Sequence, residues 1–538
     1  MPTPPFGDAL PYPSRRRPVY ARNVVATSQP LAAQAGLEML RRGGNAMDAA
    51  VATAAALTVV EPTSNGIGSD AFALIWAGGG LHGLNASGRA PRSLSPARYA
   101  GLEKIPTRGW DGVTTPGAVS GWVMVAQQFG KLPLETLLAP AVRYARDGFL
   151  VSPEVAYYWG RAAKRYTGDV TAEWRRTFAP NGRAPRTGEQ FRSPNHAATL
   201  EAIASTGGAA FYRGPLAERI GRAASEGGGD LRVDDLASHA AEWVRPIAME
   251  YQGVRLHEIP PNGQGIVALI ALGILRHHDI AGMAVDSVSY LHHHIEAMKL
   301  AFRDGHRYVA DPAFMDVAPA DLLDDGYLAE RARLIDADRA QDFGHGTPKP
   351  GGTILLTTAD AEGNMVSFIQ SNYTGFGSGV VVPGTGIALQ NRGCCFTLEP
   401  GHPNEAGPGK RPYHTIIPAF VTRPGPGGED VPLMAYGVMG GFMQPQGHAQ
   451  VLSRIVDHDQ NPQAALDAPR WRVESGLKVT IEPGFDPAVY EGLRALGHDV
   501  TIASRLGAGH GRGQVIYRLD DGYLAASDQR ADGQAVGF

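Results

Sequence analysis

Cysteine is almost missing from this chain. Cys394 and Cys395 are the only two in 538 residues, and they are adjacent. A disulfide between neighbours strains the peptide that joins them, so a structural bridge is not expected. Low cysteine use fits a reducing compartment. An excess of one charge is missing too: 49 Lys and Arg stand against 53 Asp and Glu, a net charge of −4. Without a broad basic field, nucleic acid is not expected as a partner. Long apolar runs are also absent. The longest, Ala49 to Val60, is rich in Ala and too short to span a bilayer. Arg15, Arg16 and Arg17 are not followed by an apolar segment, so no signal peptide is read there. These absences predict a soluble, cytoplasmic protein with no membrane partner. Metal ligands in a usable pattern are lacking as well. His292, His293 and His294 fall in a helical stretch, where consecutive side chains point about 100° apart and share one ion poorly. Neither metal nor cofactor is expected.

The stretch from Lys349 to Asp360 stands out among what is present. Pro350, Gly351 and Gly352 make a helix-incompatible run. Thr353 follows, then Ile354, Leu355, Leu356 and Thr357 read as a buried strand that turns at Asp360 to Asn364. Met365 to Ile369 reads as its hairpin partner. A Thr opening an interior strand behind two glycines suits a self-cleaving N-terminal nucleophile. Its hydroxyl can reach the Gly352 carbonyl because glycine has no Cβ in the way. Cleavage would free the α-amine of Thr353 to act as base for its own hydroxyl. An ordinary hairpin with Thr at its edge is the alternative reading of these residues.

Ahead of Thr353 the chain reads as helix-rich. Helices are predicted over Leu31 to Arg42, Ala46 to Val60, Ala118 to Phe129, Ile266 to Leu275 and Val288 to Val309. Strands are predicted over Val24 to Thr27, Ala71 to Ala77 and Val254 to Ile259, with another leading into the turn at Gly112 to Gly117. Beyond Gly352, strands and Gly/Pro turns dominate. A helix is read from His448 to Asp457, and strands at Lys478 to Ile481, Asp499 to Ala503 and Gln514 to Arg518 close the chain. The whole suits a layered α/β sandwich.

Several runs then coincide with one family. They include Leu40-Arg41-Arg42-Gly43-Gly44-Asn45-Ala46-Met47-Asp48-Ala49-Ala50, Val59-Val60-Glu61-Pro62, Gly66-Ile67-Gly68 and Pro116-Gly117-Ala118-Val119. Glu296 to Phe302, Lys410-Arg411-Pro412 and Gly440-Gly441 complete the set. With these, the sequence resembles the gamma-glutamyltransferase family of N-terminal-nucleophile hydrolases. The resemblance implies a four-layer αββα sandwich and self-cleavage before Thr353, giving a large subunit of residues 1–352 and a small one of residues 353–538. It implies that Gly440 and Gly441 supply oxyanion N–H groups and that Ser371 steadies the nucleophile. A strand Ser bonded to backbone is the other reading of Ser371. The fragments would be each other's partners, with a homodimer or a heterotetramer of fragments left open.

Where the family holds a glutamyl head group, this chain departs from the pattern. The matching positions carry Tyr373, Arg392, Cys395 and the pair His414-Thr415, and the arginine position falls on Ser87 or Arg89. No carboxylate stands at the position that would pair an α-ammonium. Arg89 and Arg392 favour a carboxylate instead, or are solvated surface arginines. The pattern resembles the oxamate amidohydrolase branch. The resulting expectation is hydrolysis of the amide of a small carboxylated substrate. Hydrolysis or transfer of γ-glutamyl groups from glutathione, and a non-catalytic binding protein that kept the fold, are the rivals.

Overall fold

The computed structural model describes residues 11–14, 16–343 and 352–538. The readings at Arg15, Lys349, Pro350 and Gly351 concern residues outside this set.

The segment after Gly352 pairs as the alternation of its side chains demands. Strand Gly352–Ala359 runs antiparallel to Met365–Tyr373 on one side and to Val24–Thr27 on the other. These lie inside a seven-stranded antiparallel sheet ordered Gln534–Gly537, Val24–Thr27, Gly352–Ala359, Met365–Tyr373, Asp70–Ala77, Gly80–Ala86 and Glu242–Val244. A second seven-stranded sheet is ordered Val19–Ala21, Tyr523–Ser527, Arg512–Arg518, Asp430–Met439, Ala419–Pro424, Val254–Glu258 and Ile247–Tyr251.

Three cores show how the layers stack. Side chains alternate across a strand. Ile354 and Leu356 therefore face outward, onto Val51 and Ala55 of helix Ala46–Val60. Leu355 faces inward and joins Phe72, Ile369, Phe420, Met439 and Ile516 between the two sheets. Leu256, Val421, Met434 and Tyr436 line the far face of the second sheet, under helices Gly265–Leu275, Val288–Tyr308 and Met443–Val456. Helix, sheet, sheet, helix is the four-layer αββα sandwich implied by the resemblance. Both central strands are apolar on both faces because both faces are covered.

The Gly-Gly-Asn run has a local cause. Gly43 has φ +86°, a left-handed helix end that favours glycine. Asn45 then caps the next helix: its side chain accepts from Met47 and Asp48 N–H, and Asp48 accepts from Asn45 N–H at 2.9 Å. Asp360, at the turn of the Thr353 hairpin, accepts from Ala46 N–H at 2.7 Å, so the capped helix is pinned to that hairpin.

Three expectations change. Gly112 to Gly117 is no strand. Thr115 N–H goes to the Arg89 carbonyl and Gly117 N–H to that of Ser69, so the segment is tied to loops and not to a ladder. The helix read from His448 begins at Met443, because Pro445 sits in its first turn, where a missing N–H costs nothing. Gln514 to Arg518 does not close the chain: Tyr523–Ser527 and Gln534–Gly537 follow it.

Candidate active site

Thr353 sits at a break in register. Gly352 pairs with Tyr373 and Ile354 with Gln370, so Thr353 faces two residues, Ser371 and Asn372. The bulge turns the Ser371 hydroxyl onto the threonine: Thr353 Oγ1 donates to Ser371 Oγ at 3.2 Å, and Ser371 Oγ accepts from Tyr373 N–H at 2.8 Å. Ser371 thus touches both the Thr353 hydroxyl and backbone. Tyr373 takes φ +75°, a costly conformation for an aromatic residue, at the residue where the strand ends.

Strand Asp430–Met439 crosses above this hairpin. Ser367 Oγ donates to the Tyr436 carbonyl, and Leu355 lies against Gly437, so the strand runs toward the Thr353 end. It ends in Gly440 (φ +139°) and Gly441 (φ +66°), both buried. Neither N–H donates to an acceptor among the described residues. Gln264 fixes this turn from behind. Its Nε2 donates to the Gly441 carbonyl at 2.9 Å and to the Thr415 carbonyl at 2.6 Å, and its Oε1 accepts from Tyr413 Oη.

Four of the five residues expected to bind substrate meet in one buried cluster. The Arg392 guanidinium lies 4.6 Å from the Tyr373 ring centroid. Its Nη1 donates to Thr415 Oγ1 at 2.6 Å and contacts Cys395 Sγ at 3.9 Å. Its Nε and Nη2 are buried with no partner among the described residues. His414 Nδ1 accepts from Ile416 N–H, which places the ring proton on Nε2, 3.0 Å from Asp70 Oδ2. The other Asp70 oxygen accepts from Gly88 and Gly117 N–H at 3.2 Å each. Burial raises the Asp70 carboxyl to about 7, against the pull of Arg392, and holds His414 well below the usual imidazole range. The pair is therefore a neutral imidazole donating to a carboxyl group of high proton affinity. Burial also pushes the Tyr373 hydroxyl well up.

Arg89 is not brought into this cluster. Its side chain is 45% exposed, and it pairs with Asp311 at 2.8 Å and the Gly409 carbonyl at 3.1 Å. Ser87, the other residue considered at that position, is buried and donates to Asn85 at 2.7 Å.

His292 has company that the helix argument did not foresee. It gathers with Glu296 and His498, one potential ligand atom from each lying within 4.8 Å of the others. Those atoms are already engaged. His292 Nδ1 bonds His498 Nε2 at 2.9 Å, and the Lys299 ammonium sits on Glu296 at 2.7 Å, where it would repel a cation.

Sequence reasoning missed Asp70 and Gln264. Asp70 follows the Gly66-Ile67-Gly68 run, and Gln264 stands between Gly263 and Gly265. The Gly66-Ile67-Gly68 loop lets backbones cross: a Cβ on Gly68 would stand 2.4 Å from the Ala388 carbonyl. A polar residue at the first position of an interior strand, as Asp70 is, was the available signal.

A family model described as gamma-glutamyltranspeptidase matches residues 32–538. The oxamate amidohydrolase proenzyme of Klebsiella pneumoniae is 38% identical over 523 residues, covering 94% of this chain and 97% of its own. The glutathione hydrolase-like YwrD proenzyme of Bacillus subtilis is 36% identical over 535 residues, covering 96% and 98%. Among solved structures, a cephalosporin acylase from Bacillus halodurans superposes with a TM-score of 0.92 at 52% identity, covering 98% of each chain. With the four layers in place and these relatives matching almost end to end, the chain belongs to the gamma-glutamyltranspeptidase family and is one of its amide hydrolases.

Proposed function

We propose that this chain cuts itself between Gly352 and Thr353 and then hydrolyses the amide of a small carboxylated acid, oxamate being the simplest example. In this reading Thr353 Oγ1 attacks the amide carbon, its freed α-amine takes and returns the proton, and Ser371 orients the hydroxyl. Gly440 and Gly441 N–H groups hold the oxyanion, the contribution usually worth most in acyl transfer. Every group is the chain's own, so no cofactor is required, and the products 1–352 and 353–538 work as one unit. Arg392, Thr415, Tyr373 and His414 form the pocket for the acid, and Arg89 lies outside it. The cytoplasm is the proposed location, on the cysteine content.

One observation carries the substrate class: a buried guanidinium with two N–H groups left over, aligned as a fork that a carboxylate fits. Leaving such donors unmet costs about 1–3 kcal/mol each, which an anionic ligand recovers. A second reading has its own support. Asp70 stands near enough to Arg392 to feel its charge, and an ionised Asp70 could face the α-ammonium of a γ-glutamyl group.

Kinetics on oxamate and on glutathione decide between them. We expect the higher kcat/KM on oxamate, and an Arg392→Ala variant that still self-cleaves while its KM rises about 10- to 100-fold, the loss of a charged hydrogen bond. Preference for glutathione by tenfold or more would establish the γ-glutamyl reading instead. A single band on a denaturing gel would favour the non-catalytic binder.

A further inference from the structure

The two cysteines share a single turn and face different ways. Residues Arg392–Cys395 form one turn of 3-10 helix, where side chains three apart stand over each other. Cys395 therefore lies on the same side as Arg392, and its Sγ is 3.9 Å from Nη1 of the guanidinium. It also stands beside the Tyr373 hydroxyl, which burial first and Cys395 next push well up. Cys394 is turned away. Its thiol donates to the Pro106 carbonyl at 3.1 Å, and it packs against the small core of Ala90, Leu94 and Tyr99. Cys395 packs instead against the core under the second sheet. Both residues are half-buried, and neither is in a disulfide.

These surroundings set what each sulfur can do. A thiol reacts as its thiolate, and a guanidinium alongside stabilises that anion. Cys395 has this neighbour, whereas Cys394 faces a carbonyl oxygen. The guanidinium is itself short of acceptors: Nε and Nη2 of the fully buried Arg392 have no partner among the described residues. An oxygen atom added to the Cys395 sulfur supplies one. A disulfide is opposed by the fold, because the two sulfurs point into different cores and joining neighbours strains their peptide. The chain has no third cysteine. With Cys394 turned away, a singly oxidised Cys395 stays a sulfenic acid.

We propose that Cys395 is a modification site for hydroperoxides, and that its sulfenic acid fills the Arg392 fork in place of the substrate's carboxylate and switches the enzyme off reversibly. The inference rests on the reading of the Arg392 cluster as the pocket for the acid. The Cys395 sulfur attacks one oxygen of hydrogen peroxide. An S–O bond forms, the O–O bond breaks, and the departing hydroxide takes up the thiol proton and leaves as water. Sulfur gives up two electrons and the peroxide gains them. A dithiol reverses the step. One of its thiols attacks the oxidised sulfur and expels water; the second closes the dithiol into its own disulfide and releases the Cys395 thiol.

The test exposes the reduced protein to hydrogen peroxide with dimedone, which traps sulfenic acids, and locates the adduct by fragment mass spectrometry. Dimedone should sit on Cys395 about tenfold more than on Cys394. Saturating oxalate, a dianion that competes for Arg392, should slow that labelling about tenfold. Arg392→Ala should slow it to a similar degree, and Arg392→Lys should recover part of the rate, a rescue by charge that a merely structural role would not give. Peroxide without dimedone should abolish turnover of whichever amide is hydrolysed, and dithiothreitol should restore it. Cys395→Ser, compared with its own untreated activity, should be spared, whereas Cys394→Ser should lose activity as the native protein does. Equal labelling of both cysteines, labelling indifferent to oxalate, or a disulfide between Cys394 and Cys395 overturns the proposal. So does a loss in Cys395→Ser equal to the native loss. Labelling needs no substrate. If oxamate is not hydrolysed while dimedone marks Cys395 and oxalate slows it, the small-acid reading fails and the modification site stands.

Discussion

The Asp70 carboxyl, enclosed by Gly88, Gly117 and His414, keeps its proton up to about pH 7, whereas in the unfolded chain it ionises near 3.8. Between those values the folded chain binds more protons, so this residue makes stability fall as pH rises across the window. Urea midpoints at about pH 4.5 and pH 7.5 should show the drop, and Asp70→Asn should reduce it. The same titration sets a sign on activity. Ionised Asp70 adds negative charge beside Arg392, so kcat/KM on an anionic amide should decline as pH rises through about 7, and on a γ-glutamyl substrate it should climb. A flat profile on both would remove Asp70 from the pocket. Thr353→Ala should remain one polypeptide without activity, seen on a denaturing gel, and Ser371→Ala should slow fragment appearance by about 10- to 100-fold, the scale of one orienting hydrogen bond. The strand that opens at Gly352 was legible because a Gly-Thr entry into an apolar run is local. Asp70 was not, because its partner His414 lies 344 residues away.

The segment Pro260 to Gly265 illustrates how much a loop can hide. From sequence it is a turn between a strand and a helix. In the fold, Asn262 Nδ2 donates to the Pro412 carbonyl, the Asn262 carbonyl accepts from His414 N–H, and Gln264 N–H goes to the His414 carbonyl. Gln264 then joins the Thr415 backbone to the Gly441 backbone. Gln264→Ala leaves the buried Thr415 carbonyl unmet, at about 1–3 kcal/mol, and takes from the Gly441 carbonyl one of its two donors, the other being Gln444 N–H. We expect a lower melting temperature together with a fall in kcat larger than the rise in KM, because the Gly440-Gly441 turn loosens. Equal effects on both constants would mean that Gln264 serves stability alone. The helices were read well because capping residues mark their ends, as Asn45 does at Ala46. Gln534–Gly537 was not, since four residues carry little pattern and their partner, Val24–Thr27, lies at the other end of the chain.

Both sheets draw on both sides of the Gly352–Thr353 bond. In one, Gly352–Ala359 and Met365–Tyr373 lie between Val24–Thr27 and Asp70–Ala77. In the other, Ala419–Pro424 pairs with Val254–Glu258. The core between the sheets mixes Phe72 and Leu74 with Leu355, Phe420 and Ile516. The fragments 1–352 and 353–538 should therefore elute as one species on gel filtration and separate only in denaturant. Leu355→Ala, fully buried in that shared core, should cost about 2–5 kcal/mol in urea unfolding. Elution of either fragment alone in native buffer would contradict the packing.

The register of strand Gly352–Ala359 bears on how such a molecule would mature. From Leu356 to Ala359 it is paired on both sides, and its hairpin partnership comprises Gly352 with Tyr373 and then Ile354 to Ala359. The proposed cut ahead of Thr353 would part Gly352 and its pairing with Tyr373 from the strand and leave every pairing from Ile354 to Ala359 within one fragment. Were the chain cut there as proposed, no refolding would be needed: the sheets would already stand, and the chemistry would remove a tether from a machine assembled beforehand.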